Sequence, residues 1–97
     1  MSNLKSIMTE IEAEISRAVA KFPTWPTDII HAGNVVGEEA GELDKPILQA
    51  VYEPHKSSLA DVRCEAVQTA AMCIRFLLSM DRYELIISDQ HLQESAQ

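Results

Sequence analysis

Three stretches of this chain carry apolar residues at steps of three and four, and prolines separate or interrupt them. That periodicity is the signature of amphipathic helices. Leu4, Ile7, Met8, Ile11, Ile15, Ala18, Val19 and Phe22 form the first stripe, which predicts a helix from Leu4 to Lys21 capped by Asn3. Its opposite face carries Glu10, Glu14, Arg17 and Lys21. Pro23 and Pro26 then restrict themselves and the residues before them, so 22–28 reads as a stiff connector ending in a cap at Thr27 or Asp28. Ile29, Ala32, Val36, Ala40, Leu43, Ile47 and Val51 form the second stripe. It predicts a helix to about Leu43 and, kinked or broken where Pro46 meets the carbonyl of Glu42, on to Tyr52.

After a break at 53–58, Ser57 or Ser58 followed by Asp61 resembles a capping arrangement for a third helix running to about Met80. Its stripe of Leu59, Val62, Ala66, Val67, Ala70, Cys73, Ile74, Leu77 and Leu78 is about 160° wide, broad enough to be covered from two sides. This helix is expected at the centre of the fold. A short apolar segment, 83–87, is expected to form a further short helix, and the polar tail from Gln90 to fray. With three glycines, four prolines and almost no β-branched alternation, a many-stranded sheet is excluded. The expected fold is an all-α antiparallel helical bundle of three long helices plus a short C-terminal helix, completed by oligomerisation.

Ninety-seven residues predict a single domain, 1–97, and a chain so short leaves part of its long apolar faces uncovered as a monomer. Self-association is therefore expected. Fifteen acidic against eight basic residues give a net charge of −7, which disfavours a nucleic acid polymer as partner and favours a cation. No apolar run approaches the roughly 20 residues of a membrane span, and no basic–apolar secretory leader is visible, so a cytoplasmic, non-membrane protein is expected. Cys64 and Cys73 lie nine residues apart on one helix, about 13 Å and about 180° from each other. They cannot bridge, and buried free thiols are the expected state.

The chemistry-bearing residues are acidic. Glu38, Glu39 and Glu42 fall within little more than one turn, with only Lys45 near enough to offset their repulsion. At 100° per residue, Glu39 and Glu42 flank the apolar stripe of the second helix, and Glu65, Gln68 and Asp61 lie beside that of the third. If the two helices pack antiparallel, as their short connection suggests, the edges meet in a cluster of at least three carboxylates. Such a cluster raises the pKa values of its members, and a hard dication resolves it. Magnesium takes oxygen ligands and commonly bridges carboxylates to phosphates. Spacing alone leaves a plainer account open, in which the glutamates are a solvated face of an acidic protein.

Glu39-Ala40-Gly41-Glu42 and, after a gap of 22 residues, Glu65-Ala66-Val67-Gln68 resemble the ExxE…ExxD signature of the MazG-like, all-α nucleoside triphosphate pyrophosphatases. The likeness covers 22–78: an aromatic and proline connector, a helix bearing Glu-Glu-Ala-Gly-Glu-Leu, a break, then the second acidic pair followed by Ala-Ala-Met-Cys-Ile-Arg-Phe-Leu. The resemblance implies a helical bundle assembled as a homodimer or homotetramer. It also implies magnesium-dependent hydrolysis of nucleoside triphosphates to monophosphate and pyrophosphate, in the service of clearing unwanted nucleotides. Carried over by position, Glu39, Glu42 and Glu65 are the expected metal ligands. Gln68 departs from the pattern by standing where an aspartate is expected. Three readings are open: ligation through the Gln68 carbonyl or a water, which is preferred; recruitment of Asp61; or binding of nucleotides with little turnover.

Under this reading the water attacking the α-phosphorus gives its proton to Glu38 or to a free oxygen of a metal ligand. Trp25, in the connector, is a candidate base-stacking platform, or else a staple between the first two helices. His31 is a candidate for hydrogen-bonding base or phosphate, with simple exposure to solvent as the alternative. Lys56 is the preferred phosphate contact, and Arg75 is expected in a surface ion pair. The rival from another class is a non-enzymatic helical interaction protein whose glutamates keep it in solution.

Overall fold

The structure is a computed structural model that describes residues 3–85. Three helices, α1 (Leu4–Lys21), α2 (Ile29–Tyr52) and α3 (Leu59–Leu78), are followed by a 3₁₀ turn, Met80–Arg82. Each helix starts where a short polar side chain satisfies an orphan amide. Asn3 Oδ1 accepts from the Ser6 amide at 2.9 Å. Asp28 Oδ1 accepts from that of Ile30 at 2.9 Å. At α3 the cap is Ser58, in a reciprocal box in which Asp61 Oδ2 accepts from the Ser58 amide at 2.9 Å.

α2 continues through Pro46 to Tyr52, so the break that Pro46 could have imposed near Leu43 is not observed. The ring is buried among residues of the α2–α3 seam, and that burial offsets the hydrogen bond it withholds from the Glu42 carbonyl. α3 ends two residues earlier than expected. The short helix expected over 83–87 is absent from its described part: Tyr83 leaves the 3₁₀ turn with extended backbone, and the Glu84 amide donates to Thr27 O at 3.0 Å. The remainder of that segment, and the tail from Gln90, lie outside the described residues.

The helices run up, down and up. Gly33 and Val36 share a cleft with Cys73 and Phe76, while Pro46 and Gln49 share one with Ser57 and Asp61, so α2 and α3 are antiparallel. Arg63 pairs with Glu10 and Arg75 with the Phe22 carbonyl, a constant offset of 53 residues that sets α1 parallel to α3. α3 packs against both partners, and α1 and α2 do not closely approach each other. The central position expected for α3 is therefore observed.

Because α1 and α2 contact different sides of α3, the connector must cross it, and Arg75 secures the crossing. The side chain is buried rather than in the expected surface ion pair. Its Nη2 donates to the carbonyls of Phe22, at 2.8 Å, and Thr24, at 3.4 Å. Its guanidinium lies 4.9 Å from the centroid of the Trp25 ring, within cation–π range. Trp25 Nε1 donates to the Tyr83 hydroxyl, which in turn donates to Phe76 O.

The apolar core is small. Among the described residues Ile11, Ala32, Pro46 and Ala71 are the buried apolar side chains, while Leu4, Ile30, Val51, Leu59 and Leu78 are each more than 60% exposed. The broad stripe of α3 is thus incompletely covered by the described residues. For the same reason Cys64 and Cys73, expected to be buried, are free and exposed.

Replacing Arg75 with Met orphans two connector carbonyls and uncovers a face of Trp25. The expected result is a loss of about 2 kcal/mol in urea unfolding and a red shift of the Trp25 fluorescence. Unchanged stability and emission would contradict the role given to Arg75.

Candidate metal centre

Antiparallel packing brings the acidic edge of α2 onto that of α3. Thr69 sits at the junction, its hydroxyl 2.9 Å from Glu65 O on its own helix and 3.2 Å from Glu39 O across the seam. At this level Glu39, Glu42 and Glu65 each present a carboxylate oxygen, and the three oxygens lie within 4.8 Å of one another. Glu42 is exposed, whereas Glu39 and Glu65 are half-buried. One oxygen of each half-buried residue, Oε2 of Glu39 and Oε2 of Glu65, is shielded from solvent and has no hydrogen-bond partner among the described residues.

Two shielded, unpartnered carboxylate oxygens beside a third carboxylate are a costly arrangement. An unsatisfied buried acceptor costs about 1–3 kcal/mol, and more when charged. Burial first, then repulsion from Glu42, Glu65, Glu14 and Glu38, pushes the Glu39 carboxyl above the ordinary glutamate range. The residues fit a hard divalent cation. The donor set is all oxygen, the two shielded atoms have no partner among the described residues, and three oxygens within 4.8 Å of one another need close only slightly to meet a magnesium-sized ion, whose opposed ligands stand about 4.2 Å apart.

The other expected site residues divide between this centre and other duties. Glu38 is exposed on the turn beside Glu39. Gln68 joins Glu39 in lining an open cleft of about 400 Å³ between α1 and α3, and its Nε2 donates to Cys64 Sγ at 3.6 Å. Lys56 lines a second open cleft of about 540 Å³, where Glu42 and Glu65 form part of the wall, and pairs with Glu53 at 2.9 Å. Asp61 lines the same cleft, but its Oδ2 accepts from Ser57 and Ser58, and these bonds hold its carboxyl below the usual range. That carboxylate is occupied as a cap. Trp25 is engaged by Arg75 and Tyr83 at the connector, and His31 is exposed and lines neither cleft.

Glu14 is a participant the sequence did not single out. It belongs to the polar face of α1, which turns out to flank α3 along the clefts, and its charge reaches Glu39. Its own partner is Arg17, at 2.6 Å. Helical periodicity identified that face but gave no means of learning that the side of α3 opposite it is also polar, with Arg63 pairing to Glu10.

No family model matches the chain, and neither a curated protein nor a solved structure gives a significant match. The site therefore rests on its geometry. A raised carboxyl pKa in the folded state means that the native protein holds this proton more tightly than the unfolded chain. Stability from Glu39 is then fully present below the ordinary glutamate value of 4.5 and is lost as pH rises through the raised value. Without divalent cation, Glu39→Gln is expected to gain stability over the wild type as pH rises through that window, with a Tm about 4–8 °C higher for each 1 kcal/mol relieved. Parallel melting curves for the two proteins from about pH 4 to about pH 8, a span from the ordinary glutamate value to well above it, check this. A variant less stable than the wild type throughout would contradict it.

Proposed function

We propose that the chain is a magnesium-dependent nucleoside triphosphate pyrophosphohydrolase of the MazG-like kind, cleaving (d)NTP to (d)NMP and pyrophosphate. The observation that carries the reading is the pair of shielded, unpartnered oxygens on Glu39 and Glu65, from two helices, beside Glu42. A cluster serving only as a solvated face has no reason to withdraw carboxylate oxygens from water and leave them unbonded. Glu39 and Glu42 of α2 and Glu65 of α3 are the acidic residues on which the sequence resemblance rests.

In this account Glu39, Glu42 and Glu65 hold Mg²⁺, with Gln68 placed beside Glu39 to contribute its carbonyl or to orient a water. The bound ion supplies charge to neutralise the polyphosphate and to make water more acidic. Glu38, exposed on the adjoining turn, accepts the proton of the attacking water. Lys56 contributes a mobile point charge to phosphate oxygens, since its exposed pairing with Glu53 is weak enough to be exchanged. The exposed apolar surface on all three helices supports assembly as a homodimer or homotetramer. House-cleaning of the nucleotide pool in the cytoplasm is the corresponding role.

One observation favours a second reading, a nucleotide binder with little turnover. Gln68 brings a neutral amide where a carboxylate would bind the ion more strongly, and that amide also bonds Cys64. The two readings separate on turnover. A panel of nucleoside triphosphates assayed for pyrophosphate is expected to give magnesium-dependent release. Glu39→Gln is expected to reduce it about 100-fold or more, the rate equivalent of losing several kcal/mol of electrostatic stabilisation, with helical circular dichroism unchanged. Magnesium-tight nucleotide binding without pyrophosphate would support the binder instead, and undiminished turnover in Glu39→Gln would end the hydrolase reading.

A further inference from the structure

The carboxylate triad stands between two open clefts, and a polyphosphate held at the triad must extend into one of them. Resting on the proposed function above, the question is which cleft takes the phosphates beyond the scissile bond. The α1–α3 cleft holds more cationic side chains, Arg17, Lys21 and Arg75, yet each is already engaged. Arg17 grips Glu14 through both Nε, at 2.9 Å, and Nη2, at 2.6 Å. Lys21 Nζ sits 5.4 Å from the centroid of the Phe22 ring. Arg75 is buried and bonded to two carbonyls. Moving Arg17 or Arg75 onto phosphate would strand Glu14 in one case and the connector in the other.

The α2–α3 cleft is arranged differently. Lys45 lines it one turn beyond Glu42, Lys56 lines it from the loop before α3, and Glu42 and Glu65 of the triad form part of its wall. Among the described residues Lys45 makes no ion pair within 4.0 Å, and Lys56 has only the half-exposed Glu53. The cleft, about 540 Å³ and open to solvent, also has the volume for a short phosphate chain. Its remaining acid, Asp61, is held by the α3 cap.

We propose that this cleft seats the β- and γ-phosphates and that Lys45 is a phosphate-binding residue acting with Lys56. The two ammonium groups flank the end of the chain remote from the nucleoside, so they act on the pyrophosphate portion of the substrate. They favour triphosphates over diphosphates and bind monophosphates, which lack both outer groups, least. Two lysines facing Glu42, Glu65 and Asp61 leave the cleft net negative by itself. Binding of the anion therefore requires the divalent ion.

The probe is inorganic triphosphate, titrated calorimetrically into the full chain with and without magnesium. The wild type is expected to bind it only with magnesium. Lys45→Gln is expected to weaken binding by about tenfold, the loss of one charge-assisted contact, and Lys45→Gln with Lys56→Gln to weaken it further. Arg17→Gln and Lys21→Gln, in the other cleft, are expected to bind as the wild type does, and circular dichroism controls for folding. Wild-type affinity in the Lys45 and Lys56 variants, weakening confined to the Arg17 and Lys21 variants, or no binding by the wild type would each overturn the assignment. The hydrolase reading fails separately: triphosphate binding intact and lysine-dependent, but no pyrophosphate released from any nucleoside triphosphate, would remove the activity and leave the phosphate seat standing.

Discussion

Mutual repulsion of Glu39, Glu42 and Glu65 is the constraint around which the α2–α3 seam is arranged. Packing brings them together, because the antiparallel pairing of α2 with α3 sets the acidic edges of the two helices against each other. Thr69 bonds the backbone of both helices at that level, so the seam has little freedom to spread and relieve the charge. Without a counter-charge the result is a proton held above its ordinary range on Glu39 and two oxygens with no partner. A cation answers the repulsion and the missing bonds together, whereas a proton answers only part of either.

The rest of the chain can be understood as what holds this seam in place. α3 is shared by both neighbours, and the connector crosses it under the grip of Arg75, with Trp25 and Tyr83 closing the arrangement on one side. At the other end the Ser58–Asp61 box fixes the start of α3 beside the cleft that holds Lys45 and Lys56. The described residues bury few apolar side chains, so the bonds of the connector and the caps help hold the helices in place. Exposed Ile30, Val51, Leu77 and Leu78 are the corresponding debit.

The three helices and their caps were legible because apolar steps of three and four, Asn3, Asp28 and Ser58, are local signals. The meeting of Glu39 and Glu42 with Glu65 was also legible, since it needed only helix geometry and an antiparallel hairpin. What escaped the sequence depended on tertiary context. Pro46 breaks a helix by local rules, yet α2 continues through it because its ring finds a buried seat. Arg75 reads as a surface cation because nothing in its neighbourhood along the chain announces carbonyls arriving from 53 and 51 residues away. Cys64 and Cys73 are exposed because burial depends on what packs over α3, and a short apolar segment such as 83–87 has a periodicity equally compatible with the extended backbone seen at Tyr83.

The central claim is that carboxylates from α2 and α3 share one divalent ion in the absence of nucleotide. Manganese serves as a paramagnetic stand-in for magnesium, and electron paramagnetic resonance reports how much of it stays free in solution as protein is added. Saturable loss of the free signal that magnesium reverses, and that Glu65→Gln abolishes in a folded protein, is the result this account predicts. A free-manganese signal that protein leaves unaltered, or that falls equally with Glu65→Gln, would contradict it.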